Sequence, residues 1–91
     1  MFFRRRKFER IKLEDCVVDC HCLGMNYQAK VVDLSEGGMK IDIEETFNIH
    51  QEMDLVMTCE EGRELKRKAI VVWFLEKIYP EKGAFVGLKF I

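Results

Sequence analysis

Met39-Lys40-Ile41-Asp42-Ile43-Glu44 alternates apolar and charged residues without a break. Side chains on an extended chain point to opposite faces in turn, so Met39, Ile41 and Ile43 share one face and Lys40, Asp42 and Glu44 the other. One apolar face and one charged face describe an antiparallel strand that lies on a core with its back to water. The same rhythm recurs on both sides. Toward the C-terminus, residues 45–51 read as a loop, and Met53, Leu55, Met57 and Cys59 mark a further strand. Glu60-Glu61-Gly62-Arg63 reads as a hairpin turn with glycine at the position that needs φ > 0. Residues 65–75 form a long strand whose centre, 69–75, is continuously apolar. Pro80-Glu81-Lys82-Gly83 turns the chain again, and Ala84, Val86, Leu88 and Phe90 alternate in a last strand.

Toward the N-terminus, residues 27–34 form a strand with Tyr27, Ala29 and Val31 alternating against Gln28 and Lys30. Residues 23–26 are a turn. In residues 16–23, Cys16, Val18, Cys20 and Cys22 share a face opposite Val17, Asp19, His21 and Leu23. No stretch carries a convincing amphipathic helix. Six short strands with glycine-containing turns predict an all-β sandwich or barrel. A barrel is favoured, because closure removes the edges that a small solvated sheet leaves open.

The chain has 91 residues, enough for one domain. A domain of this size buries roughly 60–65% of its unfolded surface. A hydrophobic content of 48% and a charged content of 34% suit one compact core under a solvated surface. The net charge of −1 conceals an asymmetry. Arg4, Arg5, Arg6, Lys7 and Arg10 stand against Glu9 alone in the first ten residues, a balance of +4. The remaining chain holds ten basic and fifteen acidic residues, a balance of −5. Residues 1–10 thus read as a mobile basic arm and residues 11–91 as a mildly acidic barrel domain. Such an arm suits a phosphate-bearing partner. No apolar run approaches the ~20 residues that span a bilayer. Met1-Phe2-Phe3 precedes the arginines, the reverse of an export signal's order. A cytoplasmic protein is expected, with Cys16, Cys20, Cys22 and Cys59 as small buried hydrophobes rather than disulfides.

Cys20-His21-Cys22 looks like a metal pair, but on a strand His21 faces away from both cysteines, and Cys16 and Cys59 lack zinc-type spacing. No metal is expected. No nucleophile–base pair is visible: Ser35 lacks a G-x-S-x-G elbow, and Glu44-Glu45 has nothing apolar beside it to raise a pKa. The chain is read as a binding protein and not an enzyme. Trp73 reads as core or barrel rim, with stacking on a base or an arginine as the alternative.

The stretch with most chemistry is Asp33-Leu34-Ser35-Glu36-Gly37-Gly38, between two strands. Asp33 and Ser35 share a face under period-two alternation, and the glycines allow a corner and a close approach. Taken alone, a plain turn is the favoured reading of these residues. Arginines can bind phosphate bidentately and match the O6/N7 edge of guanine, while a carboxylate such as Asp33 can accept from N1–H and N2–H.

Arg6-x-x-x-Arg10, preceded by Arg5 and followed by Asp33-x-Ser35-x-x-Gly38, resembles the motif pair of the PilZ domain. The resemblance extends to Val71-Val72-Trp73 and to Val86-Gly87-Leu88-Lys89-Phe90. It implies a six-stranded antiparallel β-barrel of the split-barrel type and a receptor for the bacterial second messenger cyclic di-GMP. It further implies that Arg6 and Arg10 contact phosphates and guanine, and that Arg5 accompanies binding of a stacked ligand dimer. Asp33 and Ser35 then read a guanine edge, and Gly38 opens the corner for the ligand. No cofactor beyond that ligand is expected. The arm is expected to fold over the ligand and change the surface offered to a protein partner, the chain itself being a monomer or weak dimer. Many PilZ proteins add a helix after the barrel, which this sequence does not contain. A small nucleic-acid-binding barrel is the competing reading, and the acidic body disfavours it.

Overall fold

A computed structural model describes residues 16–59, 62 and 64–91. Six antiparallel strands follow in order: β1 (Val17–Cys22), β2 (Met25–Leu34), β3 (Gly38–Ile43), β4 (Glu52–Thr58), β5 (Glu64–Glu76) and β6 (Ala84–Phe90). They close a barrel in the order β1-β2-β3-β6-β5-β4, so every strand has two neighbours and no edge is left open. Among the described residues there is no α-helix, and hence none long and apolar enough to cross a membrane.

The alternation seen in the sequence is what fills the interior. Val18 and Cys20 of β1, Ile41 of β3, Leu55 of β4, Val71 of β5 and Val86 of β6 meet there, nearly or wholly shut off from solvent. Cys16, Cys22, Ala29, Val31, Leu34, Met39, Ile43, Met53, Met57, Ala69, Ala84 and Leu88 complete the core. No polar or charged residue is buried among the described residues. The core is thus held by apolar burial, at about 1.5–3 kcal/mol for each large side chain.

Three features depart from the sequence reading. The first is the turn expected over residues 23–26, which is only Leu23-Gly24, with Cys22 and Met25 already paired across β1 and β2. Both turn residues have positive φ, +52° at Leu23 and +77° at Gly24, the mark of a type I′ hairpin. Asn-Gly is the usual occupant of such a turn. A leucine there bears about 1–2 kcal/mol of left-handed strain, and its side chain is 83% exposed.

The second is β5, whose apolar centre does not stay inside. The β5–β6 register shifts between Val71 and Trp73. From Val72 onward every residue of β5 is exposed, including Val72, Trp73, Phe74 and Leu75. An extra residue in one strand breaks the in–out alternation, which an unbroken apolar run cannot reveal.

The third is the state of the cysteines. Val17 faces Thr58 in the β1–β4 ladder, which sets Cys16 opposite Cys59 one step further along. These two are joined by a disulfide, with Cα atoms 4.1 Å apart. Cross-strand positions are close enough for the bond, and sequence spacing does not expose that pairing. Cys20 and Cys22 remain free and buried. Burial above all, then the neighbouring Cys22 and Asp19, pushes the Cys20 thiol up to about 12. Burial also raises the Cys22 thiol. Neither is a reactive thiolate near neutral pH.

The bridge closes a long loop, so Cys59→Ser in the oxidised protein is expected to lower stability by about 2–4 kcal/mol in urea denaturation. Thiol titration of the unfolded, unreduced chain is expected to find the two thiols of Cys20 and Cys22, rising to four on reduction. Four before reduction would remove the bridge. In the folded protein Cys20 is expected to resist alkylation at pH 8.

Candidate functional site

Leu34 ends β2 as a buried anchor, and the chain turns back into β3 within three residues. The turn is tied from within. The Leu34 N–H donates to Asp33 Oδ1 at 2.9 Å. The Ser35 N–H donates to the Gly38 carbonyl at 2.9 Å, and its hydroxyl reaches the same oxygen at 3.4 Å. The Phe90 N–H donates to the Gly37 carbonyl at 2.9 Å, which fastens the corner to the end of β6. Asp33 and Ser35 are both exposed on either side of buried Leu34, as the alternation predicts.

The glycines differ in what they do. A Cβ on Gly38 would run into the Leu88 carbonyl of β6, so Gly38 permits β3 and β6 to lie together. Nothing lies within 4 Å of a Cβ on Gly37. Gly38 therefore has a structural duty at the strand contact, alongside any part in admitting a ligand.

The β2–β3 register shifts between Val31 and Asp33, leaving Val32 as the extra residue. That shift turns Asp33 outward opposite Lys40. Lys40 pairs in turn with Gly87, and Gly87 with Trp73. Four strands thereby contribute a single row across the outer wall, Asp33–Lys40–Gly87–Trp73. At the usual strand spacing it is about 14 Å long. Gly87 sits between inward-facing Val86 and Leu88, so its missing side chain leaves room on the outside. The Trp73 indole occupies that room: a Cβ on Gly87 would meet the ring directly. Trp73 is still 42% exposed. Asp33, Ser35, Lys40, Trp73, Gly87 and Lys89 border a groove of about 430 Å³.

The groove offers a carboxylate and a hydroxyl at one end, an aromatic face at the other, and cations between. Lys40 Nζ also stands 5.4 Å from the centre of the Phe85 ring, which steadies it on the wall. Such a set can take a planar, hydrogen-bonding, anionic molecule laid along the surface. Among the described residues no three His, Cys, Asp or Glu come together as a metal-binding group. His21 is exposed between buried Cys20 and Cys22, as strand geometry requires.

Of the residues singled out from sequence, Asp33, Ser35 and Gly38 meet at this corner. Arg5, Arg6 and Arg10 lie outside the described residues. The sequence reading did not single out Lys40, Gly87 or Lys89 for the site, and took Trp73 as core or barrel rim with stacking as the alternative; the structure leaves it half-exposed on the outer wall. One usable signal was Gly87, a glycine inside an alternating strand, which marks a close approach.

The family model described as PilZ domain matches residues 4–91, a span that includes Arg5, Arg6 and Arg10 as well as the corner. No curated protein and no solved structure gives a significant match.

Gly38→Ala is expected to lose about 1–3 kcal/mol, because it forces β3 away from β6. Gly37→Ala is expected to stay within about 0.5 kcal/mol of the parent in the same urea titration. Gly87→Ala is expected to displace Trp73, the sole tryptophan, and to shift its fluorescence emission. An unchanged spectrum would contradict the seating of the indole on Gly87.

Proposed function

Because the chain belongs to the PilZ domain family of cyclic di-GMP receptors, we propose that its outer groove and basic N-terminal segment hold cyclic di-GMP between them. PilZ domains bind and relay, and the chain is read as a receptor rather than an enzyme. The observation that carries the proposal is the outward-facing Asp33–Ser35 corner at one end of a row that finishes in an exposed tryptophan.

In this reading the Asp33 carboxylate accepts from the N1–H and N2–H of one guanine, and the Ser35 hydroxyl completes that edge. Arg6 and Arg10 bind phosphate and guanine with their planar forks. Lys40 and Lys89 add positive charge along the groove floor. Trp73 presents a face on which a base or an arginine can stack. Arg5 sets the capacity for a second, stacked ligand. Each charge-assisted contact contributes about 1.5–3 kcal/mol, and together they must exceed the roughly 1–2 kcal/mol for every backbone residue ordered on binding. Three arginines are about the minimum for a useful response. The liganded surface is then read by a protein partner.

Calorimetric titration with cyclic di-GMP is expected to show saturable binding to the parent chain. Arg6→Ala and Arg10→Ala are each expected to abolish it while the melting curve stays cooperative. Trp73→Ala is expected to weaken binding by about 1–3 kcal/mol, the value of one stacked base. A melting shift is expected with cyclic di-GMP and not with GTP or single-stranded oligonucleotides, since only a bound ligand stabilises the fold. Unchanged affinity in both arginine variants, or a shift with oligonucleotides alone, sinks the proposal.

A further inference from the structure

The end of the barrel remote from the Asp33 corner carries the β1–β2 hairpin, where Leu23 and Gly24 turn the chain between Cys22 and Met25. Cys22 and Met25 pair directly across β1 and β2. On the other side of β1, His21 faces Asp54 of β4, which sets Cys22 opposite Met53 one step further along. Three sulfur side chains therefore stand in one row across β2, β1 and β4, in the order Met25, Cys22, Met53. All three fall on the core-facing side of their strands. Cys22 and Met53 are buried, and Met25 keeps step along β2 with buried Ala29 and Val31. Directly opposed residues have Cβ atoms about 4.5–5.5 Å apart, so the thiol has a thioether within reach on either side.

This row lies where the core meets water. Met25 is 55% exposed, because the barrel ends there. Cys22, Met25 and Met53 all border one hollow of about 400 Å³, and Cys22 also borders the next hollow, on the side of Phe47 and Phe74. The Cys22 thiol is free of any disulfide. The polar side chains around the first hollow, His21, Asn26, Glu52, Asp54 and Lys68, all stand at exposed positions of their strands, and Lys68 pairs with Asp54 at 3.7 Å. The inner side of the hollow thus offers sulfur and no nitrogen or oxygen of a side chain. Thiolate and thioether donors select soft ions, Cu(I) above all. The single negative charge of one thiolate cancels the single positive charge of Cu(I). A neutral unit suits the edge of an apolar core, where a divalent ion would keep a net charge. The spacing argument against zinc concerns cysteine and histidine and does not bear on thioethers.

We infer that Cys22, Met25 and Met53 form a binding site for a soft monovalent metal ion, Cu(I), at the β1–β2 hairpin. On binding, the Cys22 S–H bond breaks, an S–Cu bond forms and the proton passes to water, while the copper keeps its oxidation state. The two thioether sulfurs complete the set as neutral donors. Cys20, two residues along the same face and wholly buried, stays behind the site. The inference is independent of what occupies the groove at Asp33.

The test is a titration of the full chain, with its Cys16–Cys59 bridge intact, into Cu(I) held by the coloured chelator bicinchoninate under ascorbate. Saturable loss of the chelate's colour is expected, with no matching uptake of Zn(II). Cys22→Ala is expected to abolish it. Met25→Leu keeps the volume of an exposed side chain and so keeps the fold, which makes it the variant that reads the site alone. It is expected to weaken uptake by at least the roughly 10–100-fold that loss of an outer-shell partner costs a metal site. His21→Ala, on the opposite face of β1, is expected to bind as the parent does. The inference is overturned if the parent takes up no Cu(I), if either Cys22→Ala or Met25→Leu binds it as the parent does, or if His21→Ala removes binding. Uptake of Zn(II) as tight as that of Cu(I) overturns it equally.

Discussion

The β3–β6 ladder is the seam on which the candidate site depends. It joins strands far apart in the chain over six paired positions, from Gly38 opposite Lys89 to Ile43 opposite Ala84, without a slip. Contact this close is possible because Gly38 has no Cβ to meet the Leu88 carbonyl. The ladders on either side both slip, β2 against β3 at Val31/Asp33 and β5 against β6 at Val71/Trp73. Bulges bend a strand and re-aim its side chains, and here they flank one regular pair. The result is that a carboxylate on β2 and an indole on β5 face outward on the same stretch of wall. Without the straight seam between them, the row from Asp33 to Trp73 would not exist.

What the sequence makes legible follows from this. Strict alternation, as in Met39, Ile41 and Ile43, reports a strand with one wet face, and the structure buries all three. The same holds for Cys16, Val18, Cys20 and Cys22, and for Met53, Leu55 and Met57. Closure into a barrel was legible as well, since six short strands leave few other ways to hide their edges. Bulges were not. The run Ala69 to Leu75 is apolar at every position, so nothing in it marks where inside becomes outside, and Trp73 reads as core or rim without a way to choose. Nor did the cysteines show their pairing: Cys16 and Cys59 are 43 residues apart and meet only because β1 and β4 close the barrel. Of the site, the corner was legible because Asp, Ser and Gly carry their chemistry locally. Lys40 and Lys89 were not, because an exposed lysine on a strand looks the same whether it faces a groove or open water.

The two ends of the barrel differ in kind. The corner end is polar and tied by hydrogen bonds within the turn and to the end of β6. The far end mixes apolar and polar side chains, and carries exposed Leu23 where the backbone favours asparagine. β5 runs through both, with Trp73 at the groove and Phe74 at the far hollow. Val71, wholly buried in the core just before the bulge, anchors the strand that carries Trp73.

Amide chemical-shift mapping with cyclic di-GMP tests the central claim most directly. The account predicts that saturating ligand moves the resonances of Asp33 to Gly38, Lys40, Gly87 and the Trp73 indole N–H together, with one common dissociation constant. If those resonances stay in place while shifts gather around Leu23, Phe47 and Phe74, the ligand does not bind at the corner and the account is wrong.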